Sequence, residues 1–133
     1  MARIVVDSSA LVEVLVGQSP SRDLRQRILT SELNAPELCL IEVLNVLRRR
    51  EMAGLATAEQ AERAVWWLAR APVRLAPHRL LVPRIWEMRP AVTAYDATYV
   101  ALAEHLAVPL VTTDAKLGGS NGHKAQIELY PAS

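Results

Sequence analysis

The sequence predicts an α/β fold: a short, mainly parallel sheet with helices on both faces, a three-layer α/β/α sandwich. Two observations carry that expectation. Short apolar runs rich in β-branched residues (4–6, 73–75, 108–112) alternate with longer helical stretches, as parallel strands joined by helical crossovers do. The chain has 133 residues, 51% of them hydrophobic and 22% charged, which is the size and balance of a single domain spanning 1–133.

The elements follow in order. Ile4, Val5 and Val6 end at the polar turn Asp7-Ser8-Ser9, a buried strand with a helix starting near Ser9. Residues 21–30 read as a second helix, with Leu24, Ile28 and Leu29 inward and Arg22, Arg25 and Arg27 outward. Residues 33–35 are a strand candidate. Pro36 suits a first helical turn, ahead of a long helix over 37–53 closed by Gly54. Thr57 and Gln60 have the spacing of a capping box and open a helix that runs to about residue 71, before Pro72. A strand at 73–75 and a helix at 77–88 come next, and Thr93 precedes a strong helical stretch to Leu106. Residues 108–112 form a strand in spite of Pro109, whose missing N–H matters least near a strand's start. A helical turn at 114–117, a glycine-rich loop at 118–122 and a strand at 125–130 complete the chain.

Composition excludes several classes. The single cysteine, Cys39, rules out an internal disulfide framework and a cysteine-based zinc site, and suits a reducing cytosol. A net charge of +1 leaves no generic basic coat for nucleic acid. The N-terminus lacks a signal-peptide core, and no apolar stretch nears the ~20 residues that span a bilayer. A soluble, cytoplasmic protein with no membrane partner is expected.

Chemistry is expected at the carboxyl edge of the strands, where α/β folds hold ligands. Of the four aspartates, Asp7, Asp96 and Asp114 fall there and Asp23 does not. Asp7 and Asp114 directly follow strands. Asp96 opens a helix that should run antiparallel to strand 108–112; the helix spans ~18 Å and the strand ~17 Å. Its start therefore stands level with the strand's end. Glu42 is the fourth acid. It shares a helical stripe with Leu38, Asn45 and Arg49, and Leu40, Ile41, Val43 and Leu44 surround it, so its charge needs a partner or a metal.

Each acid also has a plainer reading. Asp7 and Asp114 are placed to N-cap helices, Thr93 and Asp96 have capping-box spacing, and Glu42 reads equally as a solvated helix edge. Convergence favours the metal. Two carboxylates 4 Å apart repel by about 4 kcal/mol at an effective dielectric of 20, and one or two divalent cations remove that cost. Oxygen-only ligands select Mg²⁺ or Mn²⁺ over zinc. Such ions activate water and stabilise in-line displacement at phosphorus, which is nuclease chemistry.

Four ordered pieces carry a family likeness: Ile4-Val5-Val6-Asp7-Ser8-Ser9, the Glu42 segment from Ile41 to Arg49, the segment Tyr95-Asp96-Ala97-x-Tyr99-x-Ala101-Leu102-Ala103, and Leu110-Val111-Thr112-Thr113-Asp114-x-x-Leu117. Together they resemble a PIN-domain ribonuclease, and within that family a VapC-type toxin of a bacterial toxin–antitoxin pair. The resemblance implies a PIN-like fold and an acidic metal site at Asp7, Glu42, Asp96 and Asp114, with Ser9 and Thr112 as supporting hydroxyls. It also implies a Mg²⁺- or Mn²⁺-dependent endoribonuclease acting on RNA, silenced by a cognate antitoxin, and assembled as a homodimer or toxin–antitoxin hetero-oligomer.

Arginine outnumbers lysine thirteen to two. Arg49 and Lys116, near the acids, are candidates for RNA phosphates or antitoxin carboxylates. Trp66 and Trp67 point 100° apart on one helix whose Ala61, Val65 and Leu68 face the core, so neither fits fully inside; an exposed indole suggests an oligomer or antitoxin interface, and partial burial is the plainer reading. Cys39 reads as a packed thiol, and His78, His105 and His123 show no ligand spacing. The alternative to an enzyme is a non-catalytic PIN-like module that binds RNA or protein. An aspartyl-phosphate domain, the third reading, would want a second Asp where Ser9 stands.

Overall fold

In the computed structural model, which describes residues 1–133, the chain runs β1 (Ala2–Val6), α1 (Ser8–Val16), α2 (Arg22–Leu29), β2 (Ser31–Pro36), α3 (Leu38–Met52), α4 (Ala58–Arg70) and β3 (Val73–Ala76). A 3₁₀ turn (Arg79–Leu81), α5 (Val82–Glu87), α6 (Ala94–Leu106), β4 (Leu110–Thr112), α7 (Ala115–Gly118) and β5 (Ile127–Leu129) follow. All strand pairs are parallel, in the order β3-β2-β1-β4-β5. Val5 pairs with Leu110 and Val6 with Val111, so β1 and β4 end side by side.

That order places the site. The chain steps from β1 outward through β2 to β3, then crosses to the other side of β1 for β4 and β5. The carboxyl ends of β1 and β4 are thus the point where the strand order reverses, and crevices for ligands open at such points. Ile4, Val5, Val6, Leu110 and Val111 are fully buried, as central parallel strands covered on both faces must be.

The helices divide into two layers. Helices α1 to α4 pack on one another, with α2 and α3 on β2; α6 lies on β1, β2 and β4, with α5 and the 3₁₀ turn against it. Residues 97–103 of α6 are all buried, which marks a helix enclosed on every side. The expected three-layer α/β/α arrangement holds. No helix is long and apolar enough to cross a membrane.

Several local expectations need correction. Pro36 closes β2, paired with Ala76, rather than opening α3. The start of α3 has no side-chain cap of its own; His78 Nε2 accepts the Leu38 N–H at 3.0 Å instead. Leu29 is exposed, because the eight-residue α2 buries only the Leu24–Ile28 stripe. Val65 is likewise exposed beside the buried stripe Ala61, Ala64 and Leu68. The helix expected at 77–88 splits into the 3₁₀ turn and α5, with Pro83 in the first helical turn, where its missing N–H costs nothing. Strands β4 and β5 are shorter than 108–112 and 125–130.

Candidate active site

Asp7 leaves β1 and N-caps α1. Its Oδ1 accepts the Ala10 N–H at 2.9 Å and the Ser9 hydroxyl at 2.7 Å, and its Oδ2 accepts the Thr112 hydroxyl at 2.5 Å. Burial pushes its pKa up to about 6, despite the opposing hydrogen bonds from Thr112, Ser9 and Ala10, and the nearby Asp114 adds to the rise.

Ser9 and Thr112 stitch the two strand ends together. Ser9 Oγ accepts the Thr113 N–H and Thr112 Oγ1 accepts the Asp114 N–H, both at 3.0 Å. The two hydroxyl oxygens stand 3.2 Å apart. Each gives its one proton to Asp7, so their approach is a contact across the switch point rather than a further donation. Asp114 follows as the N-cap of α7, with Oδ1 accepting the Lys116 N–H at 2.9 Å.

Asp96 stands in the first turn of α6. Thr93 Oγ1 accepts its N–H at 3.3 Å, and that half of the capping box forms alone, leaving the Asp96 carboxylate free. Burial raises its pKa, Asp114 and Glu42 raise it further, and Lys116 pulls it down. Glu42, half-buried in the second turn of α3, accepts the Tyr99 hydroxyl on Oε1 at 2.5 Å, with Ser8 Oγ at 3.4 Å from the same oxygen. Tyr99 is buried, which together with Cys39 and Glu42 keeps its phenol protonated and therefore a donor. Burial also pushes the Cys39 thiol up to about 12, which makes it inert packing.

The four acids therefore act on one another in a chain. Asp7 feels Asp114, and Asp96 feels both Asp114 and Glu42. None of them has a cationic partner, since the ion pairs join Arg27 to Glu128 and Arg84 to Glu87 and Glu104. Yet no three His, Cys, Asp or Glu side chains stand close enough to ligate one ion. The expectation of a single gathered pocket is corrected to that extent: the acids share a rim and a field without closing into a ligand shell. The donor set still has the chemistry of a hard divalent cation, all carboxylate oxygen.

The outlying candidates separate. Lys116 is exposed and its charge reaches Asp96, as expected from its place near the acids. Arg49 is exposed and pairs with none of the acids. Trp66 is exposed beneath the Arg70 guanidinium, 4.4 Å from the ring centre, and Trp67 packs against the core. Tyr99 and Ser8 are site residues that sequence reasoning passed over. The available signal was position, since Tyr99 lies three residues after Asp96 and hence on the same face of the helix.

Comparison with known proteins agrees with this geometry. Residues 4–118 match the PIN domain family. The chain is 34% identical to ribonuclease VapC12 of Mycobacterium tuberculosis over 126 residues, covering 95% of this chain and 98% of that protein. It is 37% identical to ribonuclease VapC1 of the same organism over 131 residues, covering 97% and 98%. Among solved structures, PAE2754 from Pyrobaculum aerophilum superposes with a TM-score of 0.68 at 22% identity, over 95% of this chain and 83% of that one. A toxin–antitoxin complex from Klebsiella pneumoniae gives a TM-score of 0.63 at 16% identity, over 96% and 98%. Full-length likeness to VapC ribonucleases and four acids at the strand-order reversal agree: the chain belongs to the PIN-domain family, alongside the VapC ribonucleases.

Proposed function

We propose that the protein is a Mg²⁺- or Mn²⁺-dependent endoribonuclease and the toxin of a toxin–antitoxin pair. The observation that carries the reading is the chain of coupled, unpaired carboxylates, Asp7, Glu42, Asp96 and Asp114, at the junction of β1 and β4. These residues would hold the cation. When bound, it balances their charge and supplies an acidified water for attack at phosphorus.

The protein's own groups do the rest. Asp7 is held by three hydrogen bonds, from Ala10, Ser9 and Thr112, so its carboxylate cannot swing. Asp96 and Asp114 are half-exposed, which leaves their carboxylates open to an RNA substrate. Lys116, whose charge reaches Asp96, suits a substrate phosphate or an antitoxin carboxylate; Arg49, on the same helix as Glu42, is the second candidate. A cognate antitoxin and a homodimer or hetero-oligomer are proposed from the kinship with VapC proteins. The proposed site of action is the cytoplasm, the compartment that holds the RNA of a bacterial cell.

One observation favours a second reading. The acids are not closed around an ion site, as expected of a non-catalytic module that binds RNA or protein. The experiment separates the two. Purified, antitoxin-free protein should cut RNA with Mg²⁺ or Mn²⁺ and stop with EDTA, and Asp96→Asn should abolish cutting without unfolding the chain. Cutting without metal, or full activity in Asp96→Asn, rejects the mechanism. RNA binding with no cleavage selects the binding module.

A further inference from the structure

We propose that Tyr99 is the positioning residue for Glu42: its hydroxyl ties α3 to α6 and sets the gap between Glu42 and Asp96. The inference rests on reading the acids as the metal and nuclease site, and it concerns how one of them is held.

Three of the acids need no such help. Asp7 and Asp114 are fixed as helix N-caps, each with a backbone N–H on its carboxylate, and Asp96 sits on a short side chain at a capped helix start. Glu42 differs. It projects from within α3, past the last free backbone N–H of the helix start, on a side chain with three rotatable bonds. Holding a glutamate in one rotamer set costs more entropy than holding an aspartate. The bonds that hold it are side-chain bonds: Tyr99 at 2.5 Å and Ser8 at 3.4 Å, both on Oε1. The first is short and made to a carboxylate, the second near the limit of a hydrogen bond. Oε2 is left for a cation or a water.

Tyr99 is well fitted to the task. It is 2% exposed, so its ring cannot swing. Cys39, one turn before Glu42 on α3, also acts on the Tyr99 phenol, so two residues of α3 bear on it. Three residues earlier on α6 stands Asp96, whose carboxylate feels the charge of Glu42. Residues three apart share a helix face, so α6 presents a direct ligand candidate and the tether for its neighbour together. One rigid helix thereby fixes the separation of two carboxylates that come from different layers of the sandwich.

Tyr99→Phe removes the hydroxyl and keeps the ring. Mn²⁺ binding to the purified, RNA-free protein, followed by calorimetry, should weaken about tenfold, the low end of what losing an outer partner of a metal ligand costs. The kcat for RNA cleavage should fall 10- to 100-fold, with KM for RNA unchanged and the melting temperature held within a few degrees. In a Glu42→Gln background, Tyr99→Phe should have no further effect on Mn²⁺ affinity, because the tether then holds nothing. Wild-type Mn²⁺ affinity and kcat in Tyr99→Phe overturn the proposal. So does an equal loss with and without Glu42, which would mean that Tyr99 acts through packing alone. A wild-type protein that neither binds Mn²⁺ nor cleaves RNA sinks the nuclease reading itself, and this inference with it.

Discussion

Asp7 carries its carboxylate where water hardly reaches, at 4% exposure and with a pKa lifted from 3.8 to about 6 by burial. The folded protein therefore holds that proton more tightly than the unfolded chain. Linkage then fixes the sign: stability from this residue is complete below the ordinary carboxylate range and is lost as pH rises through about 6. The difference amounts to roughly 3 kcal/mol at neutral pH in metal-free protein. Asp7→Asn should accordingly raise the stability of the EDTA-treated protein at pH 7.5 by up to roughly that amount and leave it nearly unchanged at about pH 3, below the ordinary carboxylate range. Chemical denaturation at the two pH values checks it; equal effects at both would remove burial as the cause. Asp7 was legible because one residue satisfies two readings, helix cap and rim acid, and both hold. The tether on Glu42 was not legible, because the pair Glu42–Tyr99 is separated by 57 residues and only the sheet topology brings it together.

Helix ends were the most readable elements. The Thr57–Gln60 capping box forms with both bonds, 2.9 and 3.1 Å, because it needs only four consecutive residues. Thr57→Ala should cost about 1 kcal/mol and leave RNA cleavage untouched, since α4 carries none of the acids. At the end of α6, Ala107 is held left-handed at φ 55° to cap the helix. A non-glycine residue there is strained by about 1–2 kcal/mol, part of which glycine's greater unfolded freedom offsets. Ala107→Gly should raise stability by roughly 0.5–1 kcal/mol, and a melting curve that fell instead would show that the Cβ packs usefully. Elements that depend on a distant partner read less well. Leu29 lines a surface cleft with Met1, Leu33 and Trp67, which no local pattern reveals. The missing cap of α3 is supplied by His78, from beyond β3.

At the scale of the molecule, alternation of strand and helix was enough for the layers; Asp96 does lie within the field of Asp114, although β4 is only three residues long and the expected length match of α6 to that strand does not hold. What the sequence could not give is how closely the acids approach, since that turns on side-chain rotamers and on the field they share. The consequence is a fold that works against itself at one edge: like charges act on one another there with no ion pair to neutralise them, and Lys116 relieves only Asp96. A divalent ion that binds only the folded state should stabilise the whole domain by mass action, by about 2.7 kcal/mol when its concentration is a hundredfold above Kd. For a chain of this length that is a rise in melting temperature on the order of 10 °C. Mn²⁺ titrated into the EDTA-treated protein should show it, EDTA should reverse it, and Asp96→Asn should shrink it. Sodium chloride at matched ionic strength serves as the control, because general screening relieves exposed repulsion but leaves a buried carboxylate such as Asp7 nearly untouched. A rise matched by salt alone would mean that repulsion is merely being screened, and the acids would then be a charged rim rather than a place for an ion.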